Sequence, residues 1–425
     1  MTAVLIFIVL LLIGAPMVFV IVGAGIAHLL SLGDPAYLGT IAQRFFSGVN
    51  QTSLMCIPLF IMAGELMNSG GVTKRLLEFM RELVGWLKGG LAYAGIITAA
   101  VLSAILGSAN AVSSILCKVL VPDMERDGYE QEFAGALVAA SGVLGPVIPP
   151  STCFVLYCTL ANTSVKSMFM AGVIPGILLA VGYIAVVLIY GRKHPLPRCR
   201  ERFSLKRLAS SFVRAIPALL VPFIIVGGIL GGIFSPTESG SVACVAAIVA
   251  SIIYREFDPK KLPKVFVSGS ITSATVLLII GIGNLLAWTM AISDVNTFVG
   301  NAIMSITDNR TIIILLMILV MLIAGCVLEA TCAMLILVPV LVPIANAIGM
   351  NDVHFGIIVC VMLTIGFITP PVGNCLFVTS SVGNIPFVSL CRRIIPFAAV
   401  AIGVTIALAF LPEVVLLIPK LLGYL

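Results

Sequence analysis

The chain has 425 residues, of which 60% are hydrophobic and only 10% charged, and its mean hydropathy is +1.20. A soluble domain of ordinary make-up carries about 25% charged residues; too few are present here to cover a water-soluble particle of 44.7 kDa, so apolar surface must face lipid. Lys and Arg outnumber Asp and Glu by 24 to 18, a net charge of +6, but the excess sits in short loops between apolar runs. That is the positive-inside pattern, not a nucleic-acid surface.

A membrane span takes about 20 apolar residues, so there is room for roughly ten spans plus shorter pieces. The first apolar run, 2–30, passes through Gly14-Ala15-Pro16. It is too long for a signal-peptide core and reads as a retained span. Helical spans or half-spans follow at 53–70, 91–106, 108–121, 133–148, 152–161 and 168–190. Gly191 to Arg214 is a basic stretch, with Arg192, Lys193, Arg198, Arg200, Arg202, Lys206, Arg207 and Arg214 against the single acid Glu201; such loops are retained in the cytoplasm. Beyond it lie 215–234, 238–254, 265–291, 311–324, 326–346, 354–368, 372–382 and 394–419. Segments 108–121 with 133–148, and 326–346 with 354–368, read as re-entrant or broken elements joined by polar connections.

Two stretches carry the most information. Gly145-Pro146-Val147-Ile148-Pro149-Pro150-Ser151 and Gly366-Phe367-Ile368-Thr369-Pro370-Pro371-Val372 each place a glycine and a Pro-Pro pair inside an apolar run. Each follows a small-residue stretch, Gly107-Ser108-Ala109-Asn110 or Gly325-Cys326-Val327-Leu328-Glu329. Proline breaks a helix, and broken helix at membrane depth survives only where it is buried in protein or lines a wet cavity. Matched breaks in two halves of a chain point to a transporter's binding site. The landmarks divide the chain into a first repeat, 1–190, a linker, 191–214, and a second repeat, 215–425. Residues 71–90 carry Lys74, Arg75, Arg81 and Lys88, whereas 291–310 carry Arg310 with Asp294 and Asp308. One loop has the cytoplasmic signature in its basic residues and its counterpart does not, which is what inverted repeats produce. The reading is an all-α integral membrane protein with inverted repeats, two re-entrant hairpins and broken helices.

Sodium is a hard ion that takes oxygen ligands, and unwound helix frees carbonyls for it. One sodium site per repeat is expected. The first would use Ser103, Ser108 and Asn110 with carbonyls at Val143 and Gly145; the second would use carbonyls at Gly325, Thr364 and Gly366 with the Thr369 hydroxyl. The competing explanation is that small residues simply let membrane helices approach closely. An anionic substrate would be held by half-helix N-termini and polar side chains, with Ser108, Asn110, Ser151, Thr152, Glu329 and Asn374 as candidates. An acid within a membrane is costly, which singles out Glu329 and, less strongly, Glu65. Glu238, in Ser235-Pro236-Thr237-Glu238, reads as ordinary helix-start chemistry. The eleven cysteines are scattered and form no CxxC, so they read as buried hydrophobes. His28, His194 and His354 have no metal-ligand spacing, and no phosphate-binding GxxxxGK[ST] occurs, so energy for transport must come from elsewhere.

In the order and spacing of Ile57-Pro58-Leu59-Phe60-Ile61-Met62-Ala63-Gly64, the two Pro-Pro motifs, Gly231-Gly232-Ile233-Phe234-Ser235-Pro236-Thr237-Glu238 and Asp352-Val353-His354-Phe355-Gly356, the chain resembles the large membrane subunit of tripartite ATP-independent periplasmic (TRAP) transporters. Members often have Gly-Ser-Ser-Pro-Ala-Thr where this chain has Gly107-Ser108-Ala109-Asn110-Ala111-Val112, and Met-Glu-Pro where it has Leu328-Glu329-Ala330. The resemblance implies an elevator-type fold in a bacterial inner membrane. It implies a separate small membrane subunit and a soluble periplasmic binding protein as partners, and two or more Na+ ions driving uptake of an organic acid. Sialic acids and C4-dicarboxylates are the usual substrates, sialic acid being the first to test. A stand-alone sodium–dicarboxylate symporter is the rival within transport. A membrane enzyme, a channel or a purely structural protein leaves the paired breaks unexplained.

Overall fold

The computed structural model describes residues 2–33, 36–197, 203–293, 307 and 309–424. The architecture over these residues is helical throughout, and eight of the described helices are long and apolar enough to cross a membrane. Part of the basic stretch, 198–202, and most of the loop containing Asp294 and Asp308 lie outside the described residues, so the charge contrast between 71–90 and 291–310 is not visible in the structure.

The run 2–30 is not one span. Thr2–Leu12 (α1) and Met17–Ser31 (α2) are separated by a turn with Gly14 at φ +78. Gly23 abuts Leu10 and Ile6, so α1 folds back on α2. Pro16 lacks the amide proton needed to continue the helix, which accounts for the break at this point. Ala36–Val49 (α3) then packs along a later helix, Leu262–Ile292.

The next elements are Cys56–Ser69 (α4), Val72–Val84 (α5), Gly90–Leu106 (α6), Ala109–Arg126 (α7), Gln131–Gly142 (α8), Thr152–Ala161 (α9) and Val165–Lys193 (α10). Leu205–Leu230 (α11), Pro236–Ile253 (α12) and Leu262–Ile292 (α13) follow. The succession of short, turned elements then recurs: Arg310–Val327 (α14), Ala330–Ala347 (α15), Asp352–Gly366 (α16), Asn374–Gly383 (α17) and Phe387–Phe410 (α18), with the short Pro412–Val415 (α19) and Leu417–Leu421 (α20) closing the chain.

The re-entrant hairpins are paired differently from the sequence expectation. They are α6–α7, with its tip at Gly107-Ser108, and α14–α15, with its tip at Leu328-Glu329. The segments 133–148 and 354–368 instead supply α8 and α16, the first halves of broken helices completed by α9 and α17. By element order the counterpart of Gly107-Ser108 is Leu328-Glu329, three residues beyond Gly325. The reason is electrostatic. The polar turn after α7 is tied to Arg81, 3.7 Å from Asp123 and 4.0 Å from Asp127, and so belongs at a water boundary. The small-residue turn at Gly107, φ +58, carries no charge and belongs inside.

Side-chain contacts define two ends. At a basic end, Arg207 lies 3.6 Å from Glu82, Arg393 pairs with Glu130, Arg75 pairs with Glu256, and Gln131 donates to the Gly383 carbonyl at 3.2 Å. At the opposite end, Ser53 meets Thr159 at 3.3 Å, the Tyr157 hydroxyl donates to the Asp352 carbonyl at 2.8 Å, and His354 Nε2 sits 2.9 Å from the Leu408 carbonyl. The first hairpin therefore enters from the basic end and the second from the other. One continuous core, including Phe133, Phe154, Tyr157, Tyr183 and Phe397, joins both sets. Large apolar side chains such as Phe223, Leu188 and Ile189 remain exposed, as lipid contact requires. The ten described cysteines are free thiols, most of them buried.

Candidate substrate and ion site

Both tips and both breaks converge on one region. Thr152 Oγ1 donates to the Gly107 carbonyl at 3.2 Å, joining the start of α9 to the first tip. Gly145 lies against the first tip so closely that a Cβ there would be 2.8 Å from the Ser108 carbonyl carbon. A Cβ on Gly366 would be 2.5 Å from the Gly325 carbonyl oxygen. These glycines are needed because backbone meets backbone. The Pro149-Pro150 and Pro370-Pro371 bonds are both cis.

The convergence encloses a cavity of about 110 Å³, lined by Ser108, Asn110, Thr152, Glu329, Thr331 and Phe367 and faced by Ile57 and Ile61 of α4 and Thr272, Val276 and Ile280 of α13. Of the expected substrate residues, Ser108, Asn110, Thr152 and Glu329 line it. Ser151 and Asn374 do not: the Ser151 hydroxyl accepts from Phe154 N at 3.3 Å and donates to the Pro146 carbonyl, capping α9, while Asn374 opens α17 outside the lining.

The tips differ electrostatically. Ser108 is the N-cap of α7 but its hydroxyl caps no amide, so the positive end of that half-helix is open to an anion. At the second tip Glu329 fills this role itself, its carboxylate accepting from Thr331 N at 2.9 Å and from the Thr331 hydroxyl at 3.1 Å. Glu238 forms a capping box with Ser235 and is exposed, in keeping with a helix-start role.

Among the expected ion ligands, Ser103 is buried and donates to the Ala99 carbonyl at 2.6 Å, leaving its lone pairs free. Val143 and Gly145 sit in the irregular stretch after α8, their amides bonded to Ala140 and Gly142 carbonyls. In the second set, Thr364 donates to Cys360 at 2.6 Å and Thr369 to Ile365 at 2.9 Å. The Thr364 and Gly366 carbonyls each accept one amide, from Phe367 and Thr369, so each retains one lone pair.

Two features lie outside the expected ion and substrate sets. The hydroxyls of Ser113 and Ser141 are buried without a hydrogen-bond partner, and Gly142 packs on Ser113. A second cleft, of about 220 Å³, shares Ile61, Leu106, Ser108 and Thr272 with the cavity and runs between α4 and α7 past Glu65, Asn68, Ser114 and Lys118. The available signal was helical spacing: Ser108, Ala111, Ser114, Ile115 and Lys118 share one face of α7.

The family model for the DctM component of tripartite ATP-independent periplasmic transporters matches residues 4–414. The sialic acid TRAP transporter large permease protein SiaM of Vibrio cholerae is 34% identical over 97% of this chain and 96% of its own length. The C4-dicarboxylate TRAP transporter large permease protein DctM of Pseudomonas aeruginosa is 34% identical over 92% of each. The 2,3-diketo-L-gulonate TRAP transporter large permease protein YiaN of Escherichia coli is 33% identical over 86% of this chain and 85% of its own. Among solved structures, the YdaH transporter of Alcanivorax borkumensis shares the fold at a TM-score of 0.63, with 14% identity over 88% of this chain and 87% of that one. The chain is a multi-pass inner-membrane protein, a permease rather than an enzyme, and belongs to the DctM-component family of tripartite ATP-independent periplasmic transporters.

Proposed function

We propose that this chain moves a small organic acid anion inward with sodium, working with a small membrane subunit and a soluble periplasmic binding protein. The observation that carries the reading is the cavity shared by both hairpin tips, where an uncapped half-helix N-terminus at Ser108 faces the carboxylate of Glu329. The open end of α7 and the Thr152 and Asn110 side chains suit one carboxylate of the substrate. Glu329 suits a nearby cation and opposes a second negative group. The two sodium sites are those built on Ser103, Ser108, Asn110, Val143 and Gly145, and on Gly325, Thr364, Gly366 and Thr369.

In this reading the repeats are 1–190 and 215–425, and the basic linker 191–214 and the basic end face the cytoplasm. The cleft past Lys118 then opens inward. Movement of the hairpins and broken helices as an elevator against α4 and α13 would carry the cavity to the other face. Two sodium ions with a monoanion move one net charge, and a potential of ~100 mV with a tenfold sodium gradient supplies roughly 5 kcal/mol. The named relatives handle sialic acid, C4-dicarboxylates and 2,3-diketo-L-gulonate. Of the uncapped helix ends at Ser108 and Gly373, only that at Ser108 lines the cavity, with the Glu329 carboxylate also in its lining, and a monocarboxylate of the sialic acid type suits that pairing better than a dianion does.

The test is uptake of labelled sialic acid, and separately of a C4-dicarboxylate, into proteoliposomes. The chain would be reconstituted alone and with the two partner proteins, with and without an inward sodium gradient. Uptake needing all three proteins and sodium supports the proposal. Uptake by the chain alone supports a stand-alone symporter. Uptake with all three proteins but indifferent to sodium removes the coupling.

A further inference from the structure

A cavity of about 420 Å³, larger than the transport cavity or its neighbouring cleft, lies away from both, at the basic end between α8, α10 and α18. Its wall is apolar toward the bundle's middle, with Val186, Ile189, Phe397 and Val400, and basic toward the end, with Lys193, His194, Arg392 and Arg393. Pro396 of α18 lines it as well; proline cannot donate to the carbonyl of Arg392 one turn earlier.

The charges there are not all satisfied. Arg393 pairs with Glu130, and the Tyr190 hydroxyl donates to the same carboxylate at 3.1 Å. Lys193 and Arg392 are exposed, and among the described residues no acid pairs with either. His194 is held flat on Tyr190, ring centroids 4.3 Å apart, and its Nδ1 is buried with no hydrogen-bond partner. Ile189 of the wall and the adjoining Leu188 are 57% and 54% exposed, so the crevice opens on the lipid side.

We infer that this crevice binds one anionic phospholipid, its phosphate against Lys193 and Arg392 and an acyl chain along Val186, Ile189 and Val400. Basic pockets between membrane helices near the interface recognise such headgroups. A zwitterionic headgroup would bring an ammonium to a site whose nearby acid, Glu130, is already engaged twice. A free phosphate would leave the apolar groove empty. A protein partner is disfavoured because unpaired lysine is depleted from the cores of protein interfaces. The inference stands independently of the transported substrate.

The test is native mass spectrometry of the full chain in mild detergent. Phosphatidylglycerol, phosphatidylethanolamine and glycerol-1-phosphate would be added separately, and phosphatidylglycerol again with the small membrane subunit present. One phosphatidylglycerol should be retained per chain, with roughly tenfold preference over phosphatidylethanolamine, and the double variant Lys193→Gln/Arg392→Gln should lose that preference. Val400→Trp, which fills the groove, should weaken lipid retention; the single variant Arg392→Gln serves if that protein misfolds. Equal retention of both lipids overturns the inference, as does an unchanged double variant. Glycerol-1-phosphate competing as well as the lipid would make this a free-phosphate site, and displacement of the lipid by the small subunit would make it a protein interface; either result overturns it too.

Discussion

Asn110 Oδ1 accepts a hydrogen bond from the Cys375 thiol, 3.3 Å from Sγ, and this contact joins the start of α7 to the start of α17. Each residue opens a half-helix whose N-cap makes no side-chain hydrogen bond, Ser108 in one case and Gly373 in the other. The two halves of the chain thus meet where two positive helix ends come together.

Removing this tie should impair transport more than folding. Asn110→Ala removes both this tie and a polar group of the cavity, and is expected to lower sodium-dependent uptake by at least about tenfold. Cys375→Ser, which keeps a donor, should stay near the parent rate, and Cys375→Val should fall between. Initial rates in proteoliposomes check the order. Equal rates for all three variants would mean that the contact positions nothing.

The glycines at the breaks make an opposite pair of predictions with Gly403. Gly366→Ala forces a methyl into the Gly325 backbone, and overpacking of this kind costs about 1–3 kcal/mol. A Cβ added at Gly403, in the interior of α18, would meet no atom within 4 Å, so Gly403→Ala should gain about 0.5–1 kcal/mol from helix propensity. Thermal unfolding in detergent should show shifts of opposite sign.

The Pro-Pro motifs made the breaks legible in the sequence, because proline acts locally whatever surrounds it. Spans such as α10 and α13 were legible from apolar length. The hairpin tips were harder to place. Gly325 and Gly107 look alike in sequence, but Gly107 ends its helix in the left-handed region whereas Gly325 stays helical and lies closely packed against the Leu363 and Gly366 backbone. The fold-back of α1 on α2 was also hidden, since a run of apolar residues does not record where it turns. Lys118 and Ser141 escaped for a related reason. Their importance comes from facing α4 or lacking a partner, and neither property is written in local sequence.

Glu329 separates two roles cleanly. Glu329→Ala removes the cap of α15 and should cost about 1 kcal/mol of stability. Glu329→Gln keeps an oxygen for the Thr331 amide and should leave stability nearly unchanged. If the carboxylate also faces a bound cation, the Gln variant should raise the sodium concentration for half-maximal uptake by about tenfold, the weight of roughly 1.4 kcal/mol. It should also narrow discrimination between monoanionic and dianionic substrates. Unchanged sodium dependence in Glu329→Gln would leave the residue a helix cap alone.

Ser113 and Ser141 test the ion site from the other direction. A buried hydroxyl without a partner destabilises the empty protein by about 1–3 kcal/mol, so replacing it with alanine should leave stability the same or higher when sodium is absent. If these oxygens ligate sodium, the same replacement should weaken sodium binding. Ser113→Ala and Ser141→Ala are therefore expected to unfold at equal or higher temperature than the parent in sodium-free buffer, and to show a smaller upward shift when sodium is added. Stabilisation by a ligand grows with its concentration relative to the dissociation constant, so unfolding measured across a sodium series separates the two effects. A parent-like sodium response in both variants would assign these hydroxyls to helix packing and return the first ion site to Ser103, Ser108 and Asn110.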